Sequence, residues 1–225
     1  MDRILEGVAK FQRDVYPPQR ELFEQLANRQ SPRALFITCA DSRVVPDLIT
    51  QVGPGELFIC RNAGNMIPSH GEVNGGVSAT IEYAVVALKI RHIIVCGHTD
   101  CGAMKGVLHP ETTDSMPTVK SWLAYGEMAR RVVEQAYPDL TDEAKLHALI
   151  GENVVAQLDH LKTHPSVAAS LATGNLCIHG WVYHIRSGVV EAWDAQVGQF
   201  VPIEEYNPES ATPKPRVHRF AEVAR

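Results

Sequence analysis

The chain has 225 residues, 45% hydrophobic and 21% charged, with a net charge of −5. That length accommodates one α/β domain or at most two small ones, and the mild acidity gives no global electrostatic reason to hold nucleic acid or an anionic membrane. No stretch approaches the roughly 20 apolar residues that span a bilayer, and Asp2, Arg3, Glu6 and Lys10 interrupt any signal-peptide core, so the chain reads as soluble and, by default, cytoplasmic.

In chain order, Ile4, Leu5, Val8, Phe11 and Val15 recur at near-helical spacing and stop before Pro17-Pro18. Leu22, Phe23 and Leu26 continue a second helical pattern to about Asn28. The apolar run 34–38, bounded by Ser31-Pro32 and by Asp41-Ser-Arg43, reads as a buried parallel strand. A turn at Gly53-Pro54-Gly55 leads to a second short strand at 57–60. From Gly75-Gly76 a long helix carries Val77, Ile81, Val85 and Leu88 on one face, and 92–96 is a third buried strand. Helices are predicted at about 118–136 and 141–163, the latter with a Thr141 cap followed by Asp142 and Glu143. Its apolar stripe is Leu146, Leu149, Ile150, Val154, Leu158 and Leu161. Strands at 176–185 and 189–192, turning at Ser187-Gly188, form an antiparallel hairpin that supplies an edge strand. Alternating strands and helices predict an open, mainly parallel sheet flanked by helices on both faces.

Five cysteines at irregular spacing, without an export signal, argue against a disulfide framework and for buried thiols or metal ligands. Cys60, Cys96 and Cys177 lie inside apolar runs and read as core. The other two belong to clusters that follow predicted strands: Cys39-Ala-Asp41-Ser-Arg43 and His98-Thr-Asp-Cys101. Ligands of open α/β sheets gather at the carboxyl ends of strands. If these two strands are neighbours, Cys39, His98 and Cys101 converge as a soft N/S set suited to Zn²⁺. Three protein ligands leave a fourth position, and two arrangements fit it. Asp41 could occupy it directly, or Asp41 could pair with Arg43 and leave it to water, whose pKa on zinc falls to about 7.

Cys39-x-Asp41-x-Arg43 with His98-x-x-Cys101-Gly102 resembles the β-class carbonic anhydrases. Gly55-Glu-Leu-Phe58, Arg61-Asn-Ala-Gly-Asn65, Glu82-Tyr-Ala84, Cys96–Ala103 and His179-Gly-Trp-Val-Tyr183 also resemble family segments in order and spacing. The likeness covers roughly residues 2–202 and is closest to the plant-like bacterial branch. It implies one Zn²⁺ per chain on Cys39, His98 and Cys101. It also implies an Asp41–Arg43 dyad orienting zinc-bound hydroxide, and reversible hydration of CO2 to bicarbonate and a proton. By position it assigns substrate contacts to Gln30, Phe58, Ala63, Tyr83 and the Gly102 amide, with the aromatic residues partly across a dimer interface. A branch regulated by bicarbonate has Trp three residues before the first zinc cysteine. This chain has Phe36 there, although Arg61 and Tyr183 match, so an open site with Asp41 off the metal is expected at neutral pH.

Three regions are expected: an N-terminal helical arm (1–30), a zinc-binding α/β catalytic domain (31–206) and a loosely ordered C-terminal tail (207–225). The resemblance favours an arm laid on a neighbouring subunit of a homodimer or higher homo-oligomer, with a tetramer preferred. Two other functions are compatible with the same residues. One is hydrolysis of CS2 or COS at the same site; the other is a catalytically silent zinc scaffold or sensor.

Overall fold

The computed structural model describes residues 1–72 and 75–208. Most of the expected tail, 209–225, lies outside the described residues. Helix α1 (Asp2–Lys10) continues through a wider turn at Phe11–Val15 and a short 3₁₀ turn at Pro17–Gln19 into α2 (Arg20–Asn28). The chain then runs β1 (Ala34–Cys39), α3 (Pro46–Thr50), β2 (Leu57–Asn62), α4 (Gly76–Glu82), β3 (His92–His98) and α5 (Gly102–Leu108). After these come α6 (Pro117–Leu123), α7 (Glu127–Ala136), α8 (Asp142–Lys162), α9 (Pro165–Ala172), β4 (Cys177–Tyr183), β5 (Val190–Asp194) and β6 (Gln199–Pro202).

The strands form one sheet in the order β2-β1-β3-β4-β5-β6. The first four are parallel; β5 and β6 add antiparallel. The antiparallel β4–β5 pairing and an antiparallel edge are as expected; the edge itself is a further strand, β6, and β4 is an inner strand paired with β3. β6 has only four residues, and its apolar Phe200 and Val201 are adjacent, so it shows no alternation. Every residue of β1 is buried, which explains its unbroken apolar run. The helix expected over 118–136 is instead two helices, broken by a 3₁₀ turn at Ala124–Gly126. Gly126 packs tightly there: a Cβ would come within 2.9 Å of Val107.

Helix α8 is the main brace of the sheet. Thr141 caps it, its hydroxyl accepting from the Ala144 N–H at 3.4 Å. Leu149, Ile150, Val154, Leu158 and Leu161 are buried as the stripe predicts. Val154 and Leu158 close onto β4 at Gly180, where a Cβ would lie 2.8 Å from Val154. Two buried polar residues interrupt the stripe. The Gln157 amide accepts from the Ile67 N–H (2.7 Å) and donates to Tyr125 O and Asn153 Oδ1, while Asn153 donates to Gly64 O at 3.2 Å. These bonds tie α8 to the loop after β2. On the other face of the sheet, the buried cluster Ala34, Phe36, Ile94 and Cys96 packs with Leu57, Trp181 and Tyr183, all strand residues. Desolvation pushes the Cys96 thiol up to about 12, and burial likewise raises the Cys60 thiol, so both remain protonated core residues as expected.

The arm is built differently. Neither α1 nor α2 contains a buried residue. Phe11, Tyr16 and Phe23 hold the two helices together, the Phe11 and Phe23 rings meeting edge-on at 6.1 Å. Ile4, Leu5 and Val8 remain more than half exposed. Among the described residues, no helix is long and apolar enough to cross a membrane.

Beside the edge of the main core, His179 is buried. Its Nε2 lies 3.1 Å from His92 Nδ1, and its Nδ1 2.8 Å from the Tyr206 hydroxyl. Burial holds its pKa down at about 4, below the ordinary 6.5. The folded state therefore resists protonation more than the unfolded state does. The stability from keeping this ring neutral is complete above pH 6.5 and is lost as pH falls toward 4, on the order of 3 kcal/mol in all. Urea unfolding followed across pH 4–7 should show this loss, and a His179→Gln variant should flatten that part of the curve.

Candidate metal centre

Parallel pairing of β1 with β3, from Leu35↔Ile93 to Thr38↔Cys96, places the carboxyl ends of the two strands side by side. β1 leads to β2 on one side and β3 lies on the other, so this pair is the point where strand order reverses, the ordinary ligand crevice of such sheets. Cys39 is the last residue of β1 and His98 the last of β3. The tight turn after His98, with Asp100 in the left-handed region (φ 57°), returns Cys101 to the same spot at the start of α5.

The ligand atoms of Cys39, His98 and Cys101 lie within 4.8 Å of one another, and all three residues are buried. The two Sγ atoms are 3.9 Å apart, close to the roughly 3.8 Å edge of a tetrahedron with Zn–S bonds of about 2.3 Å. His98 Nδ1 lies 2.9 Å from Thr99 O, which fixes the ring. Its Nε2 is fully buried without a hydrogen-bond partner. A buried ring nitrogen left bare beside two sulfurs is costly unless it has a ligand to bind. This donor set fits a zinc ion.

Backbone N–H groups face the sulfurs. Gly64 N lies 3.4 Å from Cys39 Sγ, the Asp41 N–H also reaches Cys39, and those of Ala103 and Met104 reach Cys101. Gly64 (φ 80°) can approach because it lacks a Cβ, which would meet Ala103 at 2.9 Å. The hydrogen bond between the two sulfurs, ahead of the cost of burial, holds the Cys39 thiol below its ordinary range, and the same bond pushes Cys101 up.

Asp41 stands beside this group, its Oδ2 3.9 Å from His98 Nε2, but both its oxygens are engaged by Arg43. Arg43 Nε donates to Oδ1 (3.0 Å) and Nη2 to Oδ2 (2.8 Å), and the Arg43 backbone N–H adds 2.9 Å to Oδ1. The guanidinium bonds hold the Asp41 carboxyl well below the usual carboxylate range. Arg61 secures the same loop from below, donating to Cys39 O (3.1 Å) and Asp41 O (2.6 Å).

The residues expected around a substrate divide in two. Ala63 and Gly102 share the lining of a cavity of about 740 Å³ between α5, α6 and the start of α8. Phe58 and Tyr83 pack on each other, ring centroids 5.9 Å apart. Phe58, however, stands four residues before the end of β2, roughly 13 Å down the strand from the level of Cys39. Gln30 is exposed in the link before β1. Phe36 is fully buried and meets Trp181 edge-on at 6.0 Å.

The supports that residue reading did not single out are Gly64, Thr99 and Asp100, and Arg61 carried only its place in a regulatory motif. Their signal is faint because each acts through a main-chain atom or a bridging contact. The glycine in Arg61-Asn-Ala-Gly-Asn65 was the available hint of a close approach.

The fold and site together define an α/β protein with a Cys-His-Cys group at the switch point of its sheet. A family model described as carbonic anhydrase matches residues 34–190. The carbonic anhydrase of Pseudomonas aeruginosa is 50% identical over 206 residues, 92% of this chain and 93% of that protein. The solved β-carbonic anhydrase CcaA superposes with a TM-score of 0.88 at 47% identity, covering 90% of this chain and 91% of that one. A structure from a study of two tetrameric β-carbonic anhydrases of the ascomycete Sordaria macrospora aligns with a TM-score of 0.69 at 28% identity, over 89% of this chain and 94% of that one. The chain belongs to the carbonic anhydrase family, as an enzyme with the β-class fold.

Replacing Cys39 by Ser or His98 by Ala removes one donor from the group that could hold a metal ion. Elemental analysis after dialysis should find about one zinc per chain in the unaltered protein and well under a tenth of that in either variant.

Proposed function

We propose that this chain catalyses the zinc-dependent, reversible hydration of CO2 to bicarbonate and a proton, with Cys39, His98 and Cys101 holding one zinc ion. The observation that carries the reading is the bare, buried Nε2 of His98 facing two sulfurs beside a carboxylate already committed to an arginine. When bound, zinc supplies a hydroxide nucleophile near neutral pH, because the pKa of coordinated water falls to about 7.

The chain's own residues do the rest. Asp41 stays ionised and, with both oxygens tied to Arg43, is available beside the ligand set as a hydrogen-bond acceptor. Accepting the nucleophile's proton in a hydrogen bond turns its lone pair toward the substrate carbon. A carboxyl held this acidic is a poor place to store a proton, so Asp41 orients, and the released proton leaves to solvent buffer. The Gly102 amide and Ala63 are proposed to border the bound gas, and an apolar lining suits an uncharged, nonpolar substrate.

Gln30, Phe58 and Tyr83 are proposed to complete the site of a neighbouring subunit rather than their own. Their displacement from the carboxyl edge within one chain supports this, as does the half-exposed Tyr83 ring. The unpartnered apolar stripe of α1 supports an arm laid on a second copy, and the tetrameric Sordaria relatives support an assembly larger than a dimer. The arm, 1–30, and the zinc-binding unit, 31–206, are thus proposed as separate functional regions.

Stopped-flow CO2 hydration should detect rapid turnover in the zinc-loaded protein. Asp41→Asn should retain zinc while kcat/KM falls roughly 100-fold, the scale expected when a reacting group loses its orientation. An Asp41→Asn variant as fast as the parent would sink the orienting role. Deleting residues 1–16 should lower the mass seen by sedimentation equilibrium; an unchanged mass would place the arm on its own subunit.

A further inference from the structure

Arg43 does not bind Asp41 alone. Its guanidinium also donates through Nη1 to Asp100 Oδ2 at 3.0 Å and through Nη2 to the Asp100 carbonyl at 3.2 Å. Of five guanidinium N–H groups, two face Asp41 and two face Asp100. Asp41 follows β1 and Asp100 follows β3, so Arg43 clamps together the two loops that carry the three ligands. Asp100 is itself held. Its other carboxylate oxygen accepts from the Lys105 ammonium of α5, and its backbone lies in the left-handed region.

We propose that Asp100 is a positioning residue for the hydration reaction: it grips Arg43 from the side away from Asp41 and so fixes the plane in which the Asp41 carboxylate is held. This rests on the function proposed above. The physical reason is geometric. A guanidinium paired bidentately with one carboxylate keeps the two groups in one plane, but at a half-exposed site the pair itself is only weakly held and can swing as a unit. A second carboxylate on a separate loop removes that freedom. Asp41 then presents its acceptor in one direction, which is what an orienting group must do.

The test uses the zinc-loaded, full-length protein and two substitutions that tolerate the left-handed backbone at this position, Asp100→Gly and Asp100→Asn. Glycine removes the grip; asparagine keeps a neutral acceptor for Nη1. The expected result is about one zinc per chain in both, a fall in kcat/KM of about tenfold for Asp100→Gly that added buffer does not relieve, and a smaller fall for Asp100→Asn. In an Asp41→Asn background, Asp100→Gly should cost less than a further twofold, because its effect passes through Asp41. A crystal structure of Asp100→Gly should show the paired Arg43 guanidinium and Asp41 carboxylate swung together from their place in the parent. The proposal is overturned if Asp100→Gly matches the parent, if its loss adds in full to that of Asp41→Asn, or if both variants lose zinc. Should the glycine variant not fold, the asparagine variant is read through the same cycle, and full additivity there overturns the proposal equally. A zinc-loaded parent without CO2 hydration would instead refute the proposed reaction, a result distinct from any of these.

Discussion

The parallel pairing of β1 with β3 is the constraint on which the Cys39-His98-Cys101 group depends. Cys39 and His98 are far apart in the chain, and only adjacency of these strand ends brings them together. Register matters as much as adjacency. Thr38 Oγ1 donates to Cys96 O at 2.8 Å within the pair, and a slip of one residue would reverse which side chains face the core. Because β1 and β3 are buried on both faces, the packing that stabilises the sheet also fixes the position of the ligands.

Around that pair, the protein spends its polar groups on alignment. Peptide N–H groups face both sulfurs, Asn153 and Gln157 of α8 brace the loop that carries Gly64, and Arg61 binds the carbonyls of Cys39 and Asp41. Arg43 closes the arrangement from the solvent side. Such surroundings set ligand orientation and basicity as much as the ligands themselves do. Both Asp41 oxygens meanwhile have strong donors in the Arg43 guanidinium and backbone N–H.

Short apolar runs bounded by turns located β1 and β3 to within a residue or two, because burial on both faces leaves little room for polar substitution. The same logic failed for β6, whose four residues carry too little pattern. It also joined α6 and α7 into one helix, because the periodicity persists across the break and Gly126 departs from it only through a close approach to Val107. The pocket residues were legible only by resemblance. Phe58 and Tyr83 read as core residues, and it is topology that sets Phe58 down β2 from the ligand set with Tyr83 packed on it.

What the sequence by itself determined is the chemistry available: two thiols, an imidazole, and a carboxylate two residues from a guanidinium, each just after an apolar run. Local spacing dictates such features, since a strand must end where polar residues crowd in. Tertiary structure alone decided that these groups meet, that the His98 Nε2 is left bare toward the sulfurs, and that Arg43 reaches across to Asp100. Those outcomes depend on which strands pair and in what register, and pairing is settled by the packing of the whole sheet against α8 rather than by any segment on its own.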